Sequence, residues 1–175
     1  MTVTAIVCKN KSGIIGNGDS LCTKNFIADL SFFYYNVIGS TIIIGNKTFQ
    51  GIKNFKKRNI TDIAKKIYVI SRTHYENYKN VEFISMEECK ELIKCNKLIN
   101  FLICGGKSIY EQLEEYIDVY LITEYHNNLP IEINSPVTLE LPELIKVKSL
   151  ISGVSGEYTF EIAMYKKRKF MNMNF

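Results

Sequence analysis

The sequence has 175 residues and a formal charge of +4, with 46% hydrophobic and 23% charged residues, an ordinary composition for a chain that buries a core. At this length roughly 70% of the unfolded surface can be buried, so one domain over residues 1–175 needs no disulfide or metal staple. The charge is too small to mark a nucleic-acid protein, and no apolar run approaches the ~18 residues that a bilayer span requires.

Thr4–Cys8 (TAIVC) is a short apolar run ended by Lys, Asn, Ser and Gly, which predicts a buried strand. Gly13–Ser20 carries glycines at 13, 16 and 18 and reads as a loop. From Ile27 to Val37 the apolar residues Ile27, Leu30, Phe33, Tyr34 and Val37 recur at helical spacing, with Gly39 closing the helix. Thr41–Ile44 (TIII) predicts a central strand and Lys47–Ile52 a short helix. Ile67–Ile70 and Val81–Ile84 predict two more strands, and Ser85 with Glu88 forms a capping-box pattern opening a helix to Cys95. Asn100–Cys104 is a strand leading into Gly105-Gly106, Ser108–Tyr116 a helix and Val119–Thr123 a strand. Ile145–Ile151 and Tyr158–Tyr165 alternate around Ser152–Gly156, a hairpin signal. This order implies a mostly parallel central sheet, helices on both faces and an antiparallel C-terminal edge hairpin.

Five cysteines without a CxxC pair, and only His74 and His126 beside them, offer no metal-ligand spacing. Cys8 and Cys104 read as small buried hydrophobes. The first residues, MTVTAIVCKNKSG, lack a basic stretch followed by a cleavable apolar one. A soluble cytoplasmic monomer is expected, with a small-molecule ligand and neither membrane nor nucleic acid as partner. The sequons at Asn46 and Asn59 then read as chance matches.

Two predicted strands end in glycine and pass directly into a helix: IIIG-NKT (Gly45–Thr48) and LICGG-KSIY (Gly105–Tyr110). Glycine lets a ligand approach the backbone, and a helix N-terminus offers unpaired N–H groups and a positive dipole end, so either turn can seat a diphosphate. Ser71-Arg72 after a third strand and Lys47 add a hydroxyl and two cations, which suit the 2′-phosphate of NADP better than the bare ribose of NAD.

The pieces fall in a specific order: IIGNGDSL (Ile14–Leu21), ADLSFF (Ala28–Phe33), TIIIGNKTF (Thr41–Phe49), YVISR (Tyr68–Arg72), ICGGKSIYEQL (Ile103–Leu113) and LIT (Leu121–Thr123). Block for block this resembles dihydrofolate reductase. The match runs from about Thr4 to Thr123 and extends more weakly into the terminal hairpin. The resemblance implies that fold, and NADPH-dependent reduction of 7,8-dihydrofolate to 5,6,7,8-tetrahydrofolate.

It also implies roles for individual residues. Asp29 is the carboxylate that grips the pterin 2-amino group and ring N3, and Thr123 is its hydrogen-bonding neighbour; these two are the catalytic pair. Phe33 and Ile52 pack on the substrate, and the backbones of Val7 and Cys8 meet the pterin and the nicotinamide carboxamide. Ile15 and Gly16 begin the loop that closes over the nicotinamide. Gly45, Lys47 and Thr48, with Gly105, Gly106, Lys107 and Ser108, form the diphosphate turns. Ser71 and Arg72 meet the adenosine phosphate, while Cys104, Ile109 and Tyr110 complete the nicotinamide side. Physically, a lone carboxylate in an apolar pocket, flanked by Phe33 and Ile27, has its pKa raised by desolvation unless it is ion-paired, and favours a protonated ring beside it.

The sequence departs from the family pattern in places. Where the family carries Leu-Pro-Trp, this chain has Leu21-Cys22-Thr23 and no Trp anywhere. The arginine that clamps the folate carboxylate is represented best by Lys65, with Arg58 displaced, so tail binding is expected to be weaker. Asn46 stands for a common basic residue and Gly51 for a common Ser. Two rivals follow: a homologue that binds NADPH or folate with weak or lost turnover, and a pyrimidine reductase of riboflavin biosynthesis on the same fold.

Overall fold

The computed structural model describes residues 1–53, 59–73, 75–128 and 132–168, with Lys53 through its backbone alone. In chain order the first elements are β1 (Val3–Asn10), β2 (Ile14–Asn17), α1 (Ile27–Val37), β3 (Thr41–Gly45), α2 (Asn46–Lys53) and α3 (Ile60–Ile63). Next come β4 (Lys66–Ile70), β5 (Val81–Ile84), α4 (Met86–Cys95), β6 (Phe101–Ile103) and α5 (Lys107–Leu113), which tightens into a 3₁₀ turn at Glu114–Tyr116. The last described elements are β7 (Val119–Asn127), β8 (Pro136–Thr138), β9 (Leu144–Ser155) and β10 (Tyr158–Lys167). Eight strands join in the order β5-β4-β3-β6-β1-β7-β10-β9, and β2 pairs with β8 apart from them.

By their contacts the residues fall into two compact units, Met1–Ala5 with Phe32–Ile117, and Ile6–Ser31 with Asp118–Phe175. In the first, β5, β4, β3, β6 and the start of β1 are all parallel neighbours. Parallel strands covered on both faces read as continuous apolar runs, and all five residues of β3 are buried accordingly. The capping box at Ser85 forms as its sequence predicts: Ser85 Oγ accepts the Glu88 N–H at 3.1 Å, and Glu88 Oε2 accepts the Ser85 N–H at 2.7 Å. The four-residue α3 is too short for a hydrophobic period to reveal it. Asn59 caps it by accepting the Thr61 N–H at 3.1 Å, which employs the side chain of that sequon.

In the second unit β10 lies antiparallel to both β7 and β9. The hairpin turn is narrower than the Ser152–Gly156 pattern suggests. Strand β9 runs to Ser155, opposite Tyr158, so only Gly156 and Glu157 turn, with Gly156 at φ +60°. Glu124 and Glu161 face one another across β7 and β10, a like-charge pair. Lys9 from β1 offsets the first and Lys146 from β9 the second.

Gly13–Ser20 is not all loop. Ile14–Asn17 forms β2, with Gly16 opposite Val137 and Asn17 opposite Pro136, and Asn17 Oδ1 accepts the Ser135 N–H at 2.9 Å. Three glycines in eight residues hid a strand whose partner, β8, is three residues long and opens on proline.

Candidate functional site

Asp29 occupies the first turn of α1. A carboxylate there gains from the helix N-terminus, yet burial is the largest influence on it and pushes its pKa up. Two neighbours pull the other way, Thr123 from β7 first and then the Cys8 thiol from β1. Among the described residues no cation is an influence on it. Asp29 keeps part of its surface open to solvent although protein crowds it on most sides. Thr123 is fully buried, and its Oγ1 completes no hydrogen bond of good geometry. The Thr123 hydroxyl is therefore best described as lying beside the carboxylate without a formed bond. Such a hydroxyl, next to an uncompensated carboxylate, suits an incoming polar edge that brings donors of its own.

Cys8 behaves differently from its sequence reading. It is half-buried, and its thiol pKa is raised by burial first and by Asp29 second, so it stays a neutral donor facing the carboxylate. Val7, one residue earlier, is buried. Cys22 is buried beside the Tyr125 hydroxyl, whose own pKa burial raises. Ile27 does not flank Asp29 as an apolar wall; it is 55% exposed. The anchoring position is Phe26, one residue before the helix, 4% exposed and packed against Tyr125, Tyr158 and Phe160. Helical spacing counted from Ile27 cannot find a residue outside the helix. The aromatic alternation of Tyr158 and Phe160 on β10 was the available signal.

The second group of predicted residues lies in the other unit, at the carboxyl ends of three adjacent parallel strands. Gly45 closes β3, Ile70 closes β4 opposite it, and Ile103 closes β6 opposite Ile43. From these ends depart Gly45–Thr48, Ser71-Arg72 and Gly105–Ser108, the three segments expected to meet a phosphorylated ligand. The Gly45 N–H donates to the Gly105 carbonyl at 2.7 Å, which ties two of the turns together. The Gly105–Gly106 peptide is cis, and Gly105 has φ +86°. A Cβ on Gly106 would stand 3.1 Å from Thr48 Oγ1, and one on Gly45 would stand 3.0 Å from Ile109. Gly106 is the N-cap of α5 and offers no side-chain cap, so the first N–H groups of that helix have no cap from it. Backbone N–H groups, the hydroxyls of Thr48 and Ser108, and the cations Lys47 and Lys107 make a donor set that fits a diphosphate. Lys107 is also paired with Glu111 at 3.6 Å, and Ser108 Oγ accepts from Gln112 at 2.7 Å.

Ser71 Oγ accepts the Thr73 N–H at 3.1 Å, and Arg72 is exposed. Cys104, Ile109 and Tyr110 are buried, with the Cys104 thiol pushed up by burial into an inert, neutral state. Phe33 and Ile52 are half-buried, Phe33 edge-on to Tyr34, and Lys65 is exposed. In the other unit Ile15 and Gly16 sit on β2, and a Cβ on Gly16 would stand 3.1 Å from the Ser20 carbonyl. Arg58 and His74 lie outside the described residues. Among the described residues no group of His, Cys, Asp or Glu can hold a metal, and no helix is long and apolar enough to cross a membrane.

Three comparisons bear on this arrangement. The sequence model of the dihydrofolate reductase family matches residues 2–167. Dihydrofolate reductase of Mycoplasma genitalium is 28% identical over 123 residues, 68% of this chain and 73% of that protein. Dihydrofolate reductase type 9 of Escherichia coli is 26% identical over 155 residues, 87% of this chain and 84% of its own length. Among solved structures, dihydrofolate reductase of Enterococcus faecalis, complexed with NADP(H) and RAB-propyl, is similar in fold with a TM-score of 0.74. It is 22% identical, and the match covers 95% of this chain and 96% of that one. Since the family match covers nearly the whole chain, including both glycine turns and the Asp29 helix, this chain belongs to the dihydrofolate reductase family of NADP-dependent oxidoreductases.

Proposed function

We propose that this protein reduces 7,8-dihydrofolate to 5,6,7,8-tetrahydrofolate with NADPH. The observation that carries the proposal is the Asp29 centre: a carboxylate crowded by protein, beside the Thr123 hydroxyl, with no cation among the described residues to satisfy it. An ionised Asp29 accepts hydrogen bonds from the 2-amino group and N3 of a pterin, and its charge favours a protonated ring. Thr123 supplies the neighbouring hydroxyl, and Val7 and Cys8 present first-strand backbone to the bound rings. Phe33 and Ile52 contribute apolar surface to the substrate, and Lys65 a point charge to its tail.

The residues present fit NADPH. The Gly45–Thr48 and Gly105–Ser108 turns take the diphosphate, Ser71, Arg72 and Lys47 the 2′-phosphate, and Ile15, Gly16, Cys104, Ile109 and Tyr110 the nicotinamide. When bound, NADPH supplies the hydride that reaches C6 of the pterin while N5 takes a proton. The chain's part is to orient the ring by its Asp29 edge and to exclude water.

The test is loss of reduced-cofactor absorbance when purified protein is mixed with NADPH and dihydrofolate. Turnover is expected; a protein that binds NADPH without turning over would be the binding homologue instead. Cofactor choice gives a sharper check. Arg72→Ala is expected to raise the KM for NADPH about 10- to 100-fold, the worth of one charge-assisted contact, and to leave the KM for NADH unchanged. An equal loss with both cofactors would remove Arg72 from the 2′-phosphate.

A further inference from the structure

The turn of the β9–β10 hairpin reaches the start of α1 at two points. Ser155 Oγ accepts the Ala28 N–H at 3.2 Å, so the residue before Asp29 is held from 127 residues away. The Tyr158 hydroxyl accepts the Lys24 N–H at 2.9 Å and donates to the Lys24 carbonyl at 3.2 Å. Between these two points lies Phe26, stacked on the Tyr158 ring with centroids 4.6 Å apart and planes 28° apart. The Phe26 carbonyl accepts the Leu30 N–H at 3.1 Å, the first helical bond around Asp29. Ser155 and Tyr158 face one another across the two-residue turn, so one hairpin end sets both contacts.

This brace has a fixed relation to the rest of the Asp29 centre. On β10, Ile162 lies opposite Thr123 and Phe160 opposite Tyr125, so the strand that begins at Tyr158 is paired with the strand that carries Thr123. Holding Lys24 and Ala28 from Tyr158 and Ser155 therefore references the first turn of α1 to β7.

We propose that Tyr158 and Ser155 are positioning residues for substrate binding: through Lys24 and Ala28 they hold the Asp29 carboxylate beside Thr123. The inference deepens the proposed function and rests on it for the identity of the substrate. Tyr158→Phe keeps the ring on Phe26 and removes only the two bonds to Lys24. Ser155→Ala removes the acceptor for Ala28, and Ser155→Thr restores it.

Each single loss is expected to raise the KM for dihydrofolate and the Kd for 2,4-diaminopyrimidine, a two-donor partner for a carboxylate, by roughly 3- to 10-fold. The double variant should lose more than either, while the KM for NADPH stays at the wild-type value. Hydrogen exchange at the Lys24 and Ala28 amides should speed up, with wild-type protection kept at Ile42–Ile44 of β3. Ser155→Thr should recover wild-type values. Unchanged exchange at Lys24 and Ala28, or faster exchange there with unchanged affinities, would overturn the inference. So would an equal loss of NADPH affinity or of β3 protection, the mark of a general structural role. If wild-type protein fails to turn over dihydrofolate, the proposed function fails, while the brace still stands or falls on diaminopyrimidine affinity and exchange.

Discussion

Replacing Asp29 by asparagine is expected to lower kcat/KM for dihydrofolate by about 10²- to 10⁴-fold, the range for losing a positioned acid–base group, with the KM for NADPH unchanged. The substitution keeps shape and removes charge. Asparagine still presents one carbonyl acceptor, but it turns an N–H₂ toward a ligand edge that brings donors, and it no longer favours a protonated ring electrostatically. The proposal gives the cofactor to the glycine turns and the substrate edge to Asp29, so cofactor binding has no reason to follow. A variant that keeps more than a tenth of wild-type kcat/KM would place the substrate-gripping group elsewhere.

The same variant should report on stability with the opposite sign. Burial raises the Asp29 pKa in the folded chain, so folding favours the protonated acid. That contribution is present below the ordinary aspartate range and is lost as pH rises through the raised, folded value. Above the ordinary aspartate range Asp29 therefore carries a burial penalty that an amide does not, and Asp29→Asn should unfold at a higher temperature than wild type. The gain should vanish below about pH 4, where both side chains are neutral. For a chain of this size each kcal/mol relieved appears as about 2–4 °C in Tm. A ligand that brings donors to Asp29 removes the penalty, so wild-type substrate affinity should fall as pH drops through a pKa above the ordinary carboxylate range.

The parallel half of the sheet was legible because its strands are apolar on both faces and end on punctuation. TIII before Gly45 and IYVI before Ser71 admit few other readings. So were the two glycine turns as junctions, since a strand that ends in Gly45 or leads into Gly105-Gly106 passes directly into a helix. The Asp29 centre was legible in residue identity alone. Its burial and its neighbours Cys8 and Thr123 depend on which side chains arrive from β1 and β7, and no local pattern encodes that. Ile27 misled because periodicity is blind to the residue just outside a helix, and Phe26 holds that place. The brace from Ser155 and Tyr158 escaped because a hydrogen bond across 127 residues has no periodic trace. β2 and β8 escaped for a related reason: each pairs with the other, and at four and three residues neither has the length to be seen alone.

Gly105→Ala should be the most damaging of the glycine substitutions, costing about 2–4 kcal/mol from a left-handed backbone and a steric clash together and lowering Tm by roughly 5–15 °C. Gly105 has φ +86°, and a Cβ there would stand 2.6–2.7 Å from Cε2, Cζ and the hydroxyl of Tyr110. Tyr110 is 8% exposed and has little room to retreat, so the backbone has to give. The Gly105 carbonyl accepts the Gly45 N–H, so a shift there loosens both turns at once, and NADPH affinity should fall with stability. Two controls separate the causes. Gly156→Ala shares the positive φ but meets nothing within 4 Å, so it should cost only about 1 kcal/mol and leave NADPH binding intact. Gly106→Ala has an ordinary extended backbone, and its Cβ would press on Thr48 Oγ1 at 3.1 Å, so it should weaken NADPH binding with a smaller loss of Tm. If thermal unfolding ranks Gly105→Ala no lower than Gly156→Ala, the Tyr110 ring yields without cost and the glycine serves only the φ angle. If NADPH titration finds Gly105→Ala unaltered, the diphosphate does not depend on the tie between the two turns.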